Sequence, residues 1–326
     1  MALDDHCRGK DCRQGRTFGV MFFLENVRVI RNDCVGDGLY ELECFAPQVA
    51  GSGRPGQFVH VEVKPCSSKS VSPLLRRPFS LYGVDAERGT ISILYRIRGS
   101  GTSILAQTRP EECLSVLGPL GNGFSLPDKE SSTLLVGGGM GIAPLVYLAD
   151  RLASLGCDVN VLYGAETASE LVALERLVRT GANCHVATMD GSRGHKGIVT
   201  DLLIGTSAGE SARISMDEFD QTSTGGFAST ARSLFPNTGA TGLGRKHDMI
   251  YSCGPKEMMA VVAQFAKEQG IPGEVSMEAH MACGVGVCLG CACKLKSDDT
   301  GYAKVCSDGP VFPLNQVEFA VREGVR

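Results

Sequence analysis

The sequence lacks an excess of positive charge: 32 lysines and arginines stand against 36 aspartates and glutamates, a net charge of -4. Nucleic-acid binders carry a basic excess, so nucleic acid is not an expected partner. It also lacks an apolar run of about 20 residues, the length that a membrane-spanning helix requires. The most apolar window, Thr133 to Ala149, is interrupted by a run of glycines and by Pro144, so no membrane role is expected. The first 19 residues, MALDDHCRGKDCRQGRTFG, hold three acidic and four basic side chains and no apolar core, which argues against a secretory signal. Apolar periodicity is missing there too, and residues 1–19 read as a flexible N-terminal extension.

What is present is a globular composition, 43% hydrophobic and 21% charged over 326 residues, enough for two domains and a smaller module. Cysteine is abundant. Of 14 cysteines, five (Cys283, Cys288, Cys291, Cys293 and Cys306) fall within 24 residues. A disulfide scaffold spreads its pairs through a short secreted chain, whereas a tight cluster in a long chain points to a metal site in a reducing compartment. The expected location is the cytoplasm.

Three segments of different pattern follow one another. Residues 20–128 contain short β-branched runs such as FVHVEV at 58–63 and ISILYRI at 91–97, separated by glycine, proline and aspartate turns; they predict an antiparallel β-barrel domain. Residues 129–270 alternate strand and helix: TLLVGGGMGIAPLVYLADRLASLG, VNVLYGA, ELVALERLVRTG, HVATMD, DMIYSCG and KEMMAVVAQFAKEQG. That alternation predicts an α/β domain with a parallel sheet. It is interrupted at 205–247, where 19 of 43 positions are Gly, Ser or Thr, a composition that reads as a long flexible insertion. Residues 271–326 form the cysteine-rich C-terminal module.

Cys283, Cys288, Cys291 and Cys306 are spaced C-x4-C-x2-C-x14-C. The first three match the ferredoxin-type loop around a [2Fe-2S] cluster, and the fourth arrives from a distance. Zinc is the alternative, but it takes separated C-x2-C pairs and only one such pair fits here. Cys293, in the alternating CACKL run, reads as a small buried strand residue. Gly137, Gly138, Gly139, Met140 and Gly141 join a predicted strand to a helix beginning near Ala143-Pro144. A dinucleotide pyrophosphate could approach that backbone, although the turn is not the strict G-x-G-x-x-G fingerprint and could serve packing alone. Arg77-Pro78-Phe79-Ser80, Leu94-Tyr95-Arg96 and Gly101-Thr102 together supply a cation, an aromatic face and a glycine turn with a hydroxyl, the parts that a flavin dinucleotide needs.

The succession RPFS, LYR, GT, LGPLGNGF, GGGMGIAPL, SCGP, ACGVGVCLGC and VCSDGPVF closely resembles the electron-transfer subunits of dihydroorotate dehydrogenase B. These are iron-sulfur flavoproteins of the ferredoxin reductase superfamily, and the likeness runs from about residue 20 to 326 apart from the insertion. It implies FAD at Arg77 to Ser80, Leu94 to Arg96, Gly101 and Thr102, and cluster ligands at Cys283, Cys288, Cys291 and Cys306. It also places Gly137 to Gly141 and the turn Cys253-Gly254-Pro255 on the nicotinamide side, with Cys253 as the catalytic residue. A nicotinamide delivers two electrons together and a cluster carries one, so a flavin must stand between them. No residue reads as an orotate site. The resemblance therefore implies an FMN-containing catalytic partner in a heterotetramer, two subunits of each kind, serving pyrimidine (UMP) biosynthesis. Glu166, in the turn after VNVLYGA, is an acid that favours NAD(H) over a 2'-phosphorylated nucleotide. Rival readings are a paralogous subunit feeding a sulfite reductase or hydrogenase, and a redox sensor without turnover.

One consequence is directly measurable. Cys288→Ser should abolish or destabilise the cluster, read as loss of iron and labile sulfide, while FAD content stays at the wild-type level. Zinc without labile sulfide in the wild-type protein would overturn the cluster reading.

Overall fold

A computed structural model of the chain describes residues 22–70, 72–204, 213–214, 247–296 and 301–319. The expected extension at 1–19 and all of the expected insertion except 213–214 and 247 lie outside the described residues.

The first unit is one antiparallel sheet of seven strands, coiled so that β4 comes against β6. In chain order these are β1 (Phe23–Gly36), β2 (Leu39–Phe45), β3 (Phe58–Val61), β4 (Arg77–Ser80), β5 (Gly83–Asp85), β6 (Thr90–Arg96) and β7 (Cys113–Leu120), and they lie in the order β4-β3-β7-β1-β2-β6-β5. The two-residue period decides which side chains enter the barrel. Val59, Val61 and Val63 join Val27, Val29, Leu42, Ile91 and Ile93 in its core, while Phe58 packs in a different core, shared with the rest of the molecule. Short helices α1 (Pro47–Ala50) and α2 (Ser100–Leu105) lie within the connections.

The second unit follows the expected alternation. Its elements are β8 (Ser132–Gly138), a tight turn at Gly139–Gly141, α3 (Ile142–Ser154), β9 (Asp158–Ala165), α4 (Leu174–Arg179), β10 (Asn183–Thr188), β11 (His195–Lys196) and α5 (Asp201–Ile204). They continue as β12 (Arg213–Ile214), β13 (Met249–Cys253), α6 (Lys256–Gln269) and β14 (Gly273–Ser276). Beyond these, β15 (Ala292–Lys294) and β16 (Tyr302–Lys304) form a small hairpin, and β17 (Val311–Pro313) returns to the large sheet. The sheet order is β11-β10-β9-β8-β13-β14-β17, with β12 paired to β10. Strands β8, β9, β10, β13 and β14 are parallel, which crossover connections through helices permit. The sheet is buried on both faces. Leu135, Val161, Tyr163, Tyr251 and Cys253 pack toward α3 and α4, and Leu134, Val136, Leu162 and Ile250 toward α6 and the cysteine-rich segment.

The structure differs from the expected division at 270/271. After α6 ends at Gly270, in the left-handed conformation usual for a helix stop, the chain re-enters the same sheet as β14 and later as β17. The C-terminal segment is thus built onto the parallel sheet rather than set beside it. Among the described residues no helix is long and apolar enough to cross a membrane.

The barrel and the sheet share apolar core, since Tyr82, Leu94 and Phe124 belong to the same cluster as α3 and α4. Polar contacts fix the orientation. The Tyr147 hydroxyl on α3 donates to the Gly53 carbonyl at 3.0 Å, and Asn122 of the LGPLGNGF stretch donates through its backbone N–H to Gly309 and through its side chain to Asp308. Arg176 of α4 lays its guanidinium 4.5 Å from the Tyr82 ring centre and donates to Asp150 at 2.6 Å. A side chain on Gly83 would strike that guanidinium. Truncating it removes a cation–π contact and leaves a partly buried carboxylate without its partner. We expect Arg176→Ala to lower stability by about 2 kcal/mol in chemical unfolding, and Arg176→Lys to recover less than half of the loss because the planar fork is gone.

Candidate functional site

The chain leaves β8 toward β9 and β10 on one side and returns to β13 and β14 on the other. In open parallel sheets the crevice beyond such a reversal, at the carboxyl ends of the strands, is where ligands bind. Here that crevice is a cleft of about 760 Å3, lined by Gly138, Gly139, Met140, Gly141, Glu166, Gly254 and Pro255 among others. Gly141 is required by close approach: a Cβ there would stand 2.4 Å from the Cys253 carbonyl oxygen, so the two glycine turns touch and form one floor. Gly137 packs beneath Ile142 and does not line the cleft. Glu166 stands exposed at its rim, one residue beyond β9.

The second cleft, about 330 Å3, opens on the barrel side. Arg77, Pro78, Phe79, Ser80, Leu94, Tyr95, Arg96 and Thr102 all line it, so the structure gathers three separate sequence stretches into one wall. Gly101 does not line it but lies behind Arg77, whose Nε would be 3.3 Å from a Cβ at that position. Tyr95 is buried, its ring near Tyr40 and Phe79, and its hydroxyl donates to Asn32 at 2.9 Å, so the ring is held by neighbouring strands as it lines the cleft. Arg96 donates to Glu170 at 2.9 Å, which holds that carboxyl below its ordinary range, and its Nε is buried without a hydrogen-bond partner.

The two clefts are contiguous, because Arg96, Arg98, Met140 and Glu278 line both. Arg98 and Glu278 were not among the candidates from sequence. Glu278 lies just past β14 in SMEAH, a stretch with no recognisable pattern, and nothing local marks it. Desolvation raises its carboxyl pKa, and Arg98 nearby offsets part of the rise. Cys253 lines neither cleft. It is buried behind them, its thiol pushed well up by burial, with Glu278 adding to the rise and a hydrogen bond with Ser276 opposing it.

The run Ser276–Met281 forms one wall of the barrel cleft, and the cysteine loop begins two residues later. Cys283 and Cys288 lie within hydrogen-bonding reach of one another, as do Cys291 and Cys306. Backbone N–H groups point at the sulfurs, from Val287 to Cys283 at 3.4 Å, from Gly286 to Cys306 at 3.2 Å and from Cys306 to Cys291 at 3.4 Å. Burial would raise Cys283, yet backbone donors from Val285, Cys288 and Val287 outweigh it and bring the thiol down to about 6. Burial, with the Cys291 hydrogen bond, pushes Cys306 up to about 12. Among the described residues no three His, Cys, Asp or Glu side chains converge as a single ion would need. Two thiol pairs wrapped in N–H donors fit a binuclear cluster, which takes two thiolates per iron. Cys293 sits in the β15–β16 hairpin, half-buried, opposite Ala303.

Comparison with known proteins agrees with this geometry. Residues 278–318 match the family model for the iron-sulfur cluster binding domain of dihydroorotate dehydrogenase B. A structure of an NADH-dependent reduced ferredoxin-NADP oxidoreductase is similar with a TM-score of 0.68 and 25% identity, over 90% of each chain. The ferredoxin reductase of carbazole 1,9a-dioxygenase shares the fold, with a TM-score of 0.56 over 78% of this chain and 68% of that one. The dihydroorotate dehydrogenase B (NAD+) electron transfer subunit of Geobacillus kaustophilus is 38% identical over 299 residues, 91% of this chain and 99% of that one. The Bacillus cereus (strain B4264) protein of the same name is 36% identical over 301 residues, with equal coverage. With the clefts, the cysteine loop and these relatives in agreement along nearly its whole length, the chain belongs to the family of electron transfer subunits of dihydroorotate dehydrogenase B (NAD+).

Proposed function

We propose that this chain passes electrons between NAD(H) and a catalytic partner subunit, with FAD in the barrel cleft and a [2Fe-2S] cluster on the cysteine loop, so that dihydroorotate is oxidised on the partner. The observation that carries this reading is the run Ser276–Met281. It walls the barrel cleft, contributes Glu278 to the nucleotide cleft, and leads to Cys283 within two residues, a span of at most about 7 Å.

When bound, a flavin takes two electrons together from a nicotinamide and releases them singly to a cluster. The chain supplies the rest. Arg77 offers a cation to the flavin diphosphate and Thr102 a hydroxyl, and Pro78 and Phe79 exclude water along the β4 wall. The turns Gly138–Gly141 and Gly254-Pro255 admit the nicotinamide dinucleotide to the sheet edge, and Glu166 accepts hydrogen bonds from ribose hydroxyls. Glu278, its carboxyl pKa raised by desolvation, lines both clefts where they meet. Cys253 supports that wall from behind through Ser276. The partner is an FMN-containing subunit, two copies of each chain, and the complex works in the cytoplasm, where the thiols remain reduced. Family membership favours this reading over a sulfite reductase or hydrogenase subunit and over a sensor without turnover.

Two measurements test it. Desolvation raises the Glu278 pKa above 4.5 in the folded chain, so its carboxylate form is a cost that is absent below 4.5, grows from there up to the raised value and is constant above it, and that solvent around this exposed side chain keeps small. Glu278→Gln should therefore gain thermal stability over wild type as pH rises from 4.5 toward neutrality, while slowing NADH-driven reduction of an artificial acceptor; identical stability profiles would contradict the assignment. Val287, 79% exposed beside Cys288 and next to exposed Leu289, belongs to the apolar lip from which electrons leave. Val287→Glu should slow electron transfer to the catalytic subunit on the order of tenfold and leave FAD reduction by NADH unchanged in stopped-flow experiments. Equal slowing of both half-reactions would show that the lip is not the exit.

A further inference from the structure

Strand β3 carries a histidine that none of the chemistry above uses. Val59 and Val61 enter the barrel core, which leaves Phe58 and His60 on the opposite face. Phe58 lines the barrel cleft beside Arg77–Ser80, and the His60 ring stands edge-on to it at 5.8 Å. On its other side His60 meets the cysteine loop. A methyl group placed on Gly284 would lie 2.6 Å from Cε1, 2.7 Å from Nδ1 and 3.1 Å from Nε2 of His60. The imidazole therefore rests on the backbone of the residue that follows Cys283. Gly284 has φ +70°, so its conformation and the close approach of the ring both call for glycine.

His60 is fully buried, and neither ring nitrogen has a hydrogen-bond partner in the protein. A buried imidazole carries at least one N–H donor, and interiors rarely leave such a group unmet. The polar side chains closest to it in charge, Arg76 and Arg77, are donors only and cannot accept its proton. The acceptors that belong at this loop are the sulfurs of an iron-sulfur cluster, whose reduction potential depends on the hydrogen bonds that reach them. Resting on the reading that the four cysteines hold such a cluster, we infer that His60 is a positioning residue that directs an N–H to the cluster's sulfur side and thereby favours its reduced, more negative form.

The test is a reductive titration of the FAD- and cluster-loaded chain followed by electron paramagnetic resonance, on wild type, His60→Leu and His60→Gln, with His60→Phe as a second donor-free variant. In the donor-free variants the ratio of reduced to oxidised cluster at a fixed potential should fall roughly tenfold, a drop of about 59 mV for one electron. His60→Gln retains an N–H donor and should recover at least half of that shift, with the flavin potential unchanged throughout. An unchanged cluster potential in the donor-free variants, the same shift in His60→Gln, or an equal shift of flavin and cluster would each overturn the proposal. A wild-type chain that shows no [2Fe-2S] signal would instead overturn the cluster reading on which it rests, and the proposal with it.

Discussion

The parallel pairing of β14 with β13, Ile250 against Gly273 through Cys253 against Ser276, is the constraint on which the rest of this molecule depends. It fixes where the chain emerges at the carboxyl end of the sheet. From that point Ser276 to Met281 run along the barrel cleft, and Cys283 follows two residues later. β17 closes the arrangement on the other side of β14, and Met277 donates its backbone N–H to the Pro310 carbonyl at 2.8 Å, so the segment that enters the cysteine loop and the one that leaves it are tied together. A one-residue slip of β14 would turn every side chain of the wall to the other face.

That constraint explains why the three expected segments are less separate than their compositions imply. The core that holds Phe58 and Leu120 of the barrel also holds Cys291, Val305, Cys306 and Phe312 of the cysteine-rich segment and Leu134, Val136 and Ile250 of the sheet. Buried residues such as Cys291 and Cys306 cannot shift without disturbing a close-packed interior. Rigidity of this kind keeps neighbouring redox sites at fixed separation, and the segment's own small hairpin, β15 with β16, could not provide it alone.

What was legible in the sequence was chemistry with a local signature. Cysteine spacing is set by the cluster, and glycine turns by the approach of two backbones, so both are written within a few neighbouring residues. The alternation of β8, α3 and β9 is legible for the same reason. Helix α4 is shorter than ELVALERLVRTG implies, because residues 168–170 form a tight turn in which the Ala168 N–H donates to the Ser192 hydroxyl and Glu170 accepts from Arg96. Such partners lie 24 and 74 residues away and leave no mark on a local window. The same holds for β14 and β17 joining the large sheet, for Glu278, and for His60, which within FVHVEV is only one polar residue in an alternating strand. Nor does LYR reveal that the Tyr95 ring packs near Tyr40 and Phe79 on neighbouring strands.

The charged residues at the junction of the clefts show how one set of side chains can serve both. Arg96 extends from the barrel and spends one guanidinium nitrogen on Glu170 of the nucleotide domain, which ties the two units across the mouth of the site. Its Nε is left facing no protein acceptor, and with Arg98 it presents positive charge to both spaces. Glu278 stands near them, its side chain exposed in the cleft and its carboxyl pKa raised by desolvation, with Arg98 opposing the rise. Two cations and one acid thus line the boundary that the two clefts share. The domain contact and the electrostatics of the site therefore both draw on Arg96, and loosening one would be felt in the other.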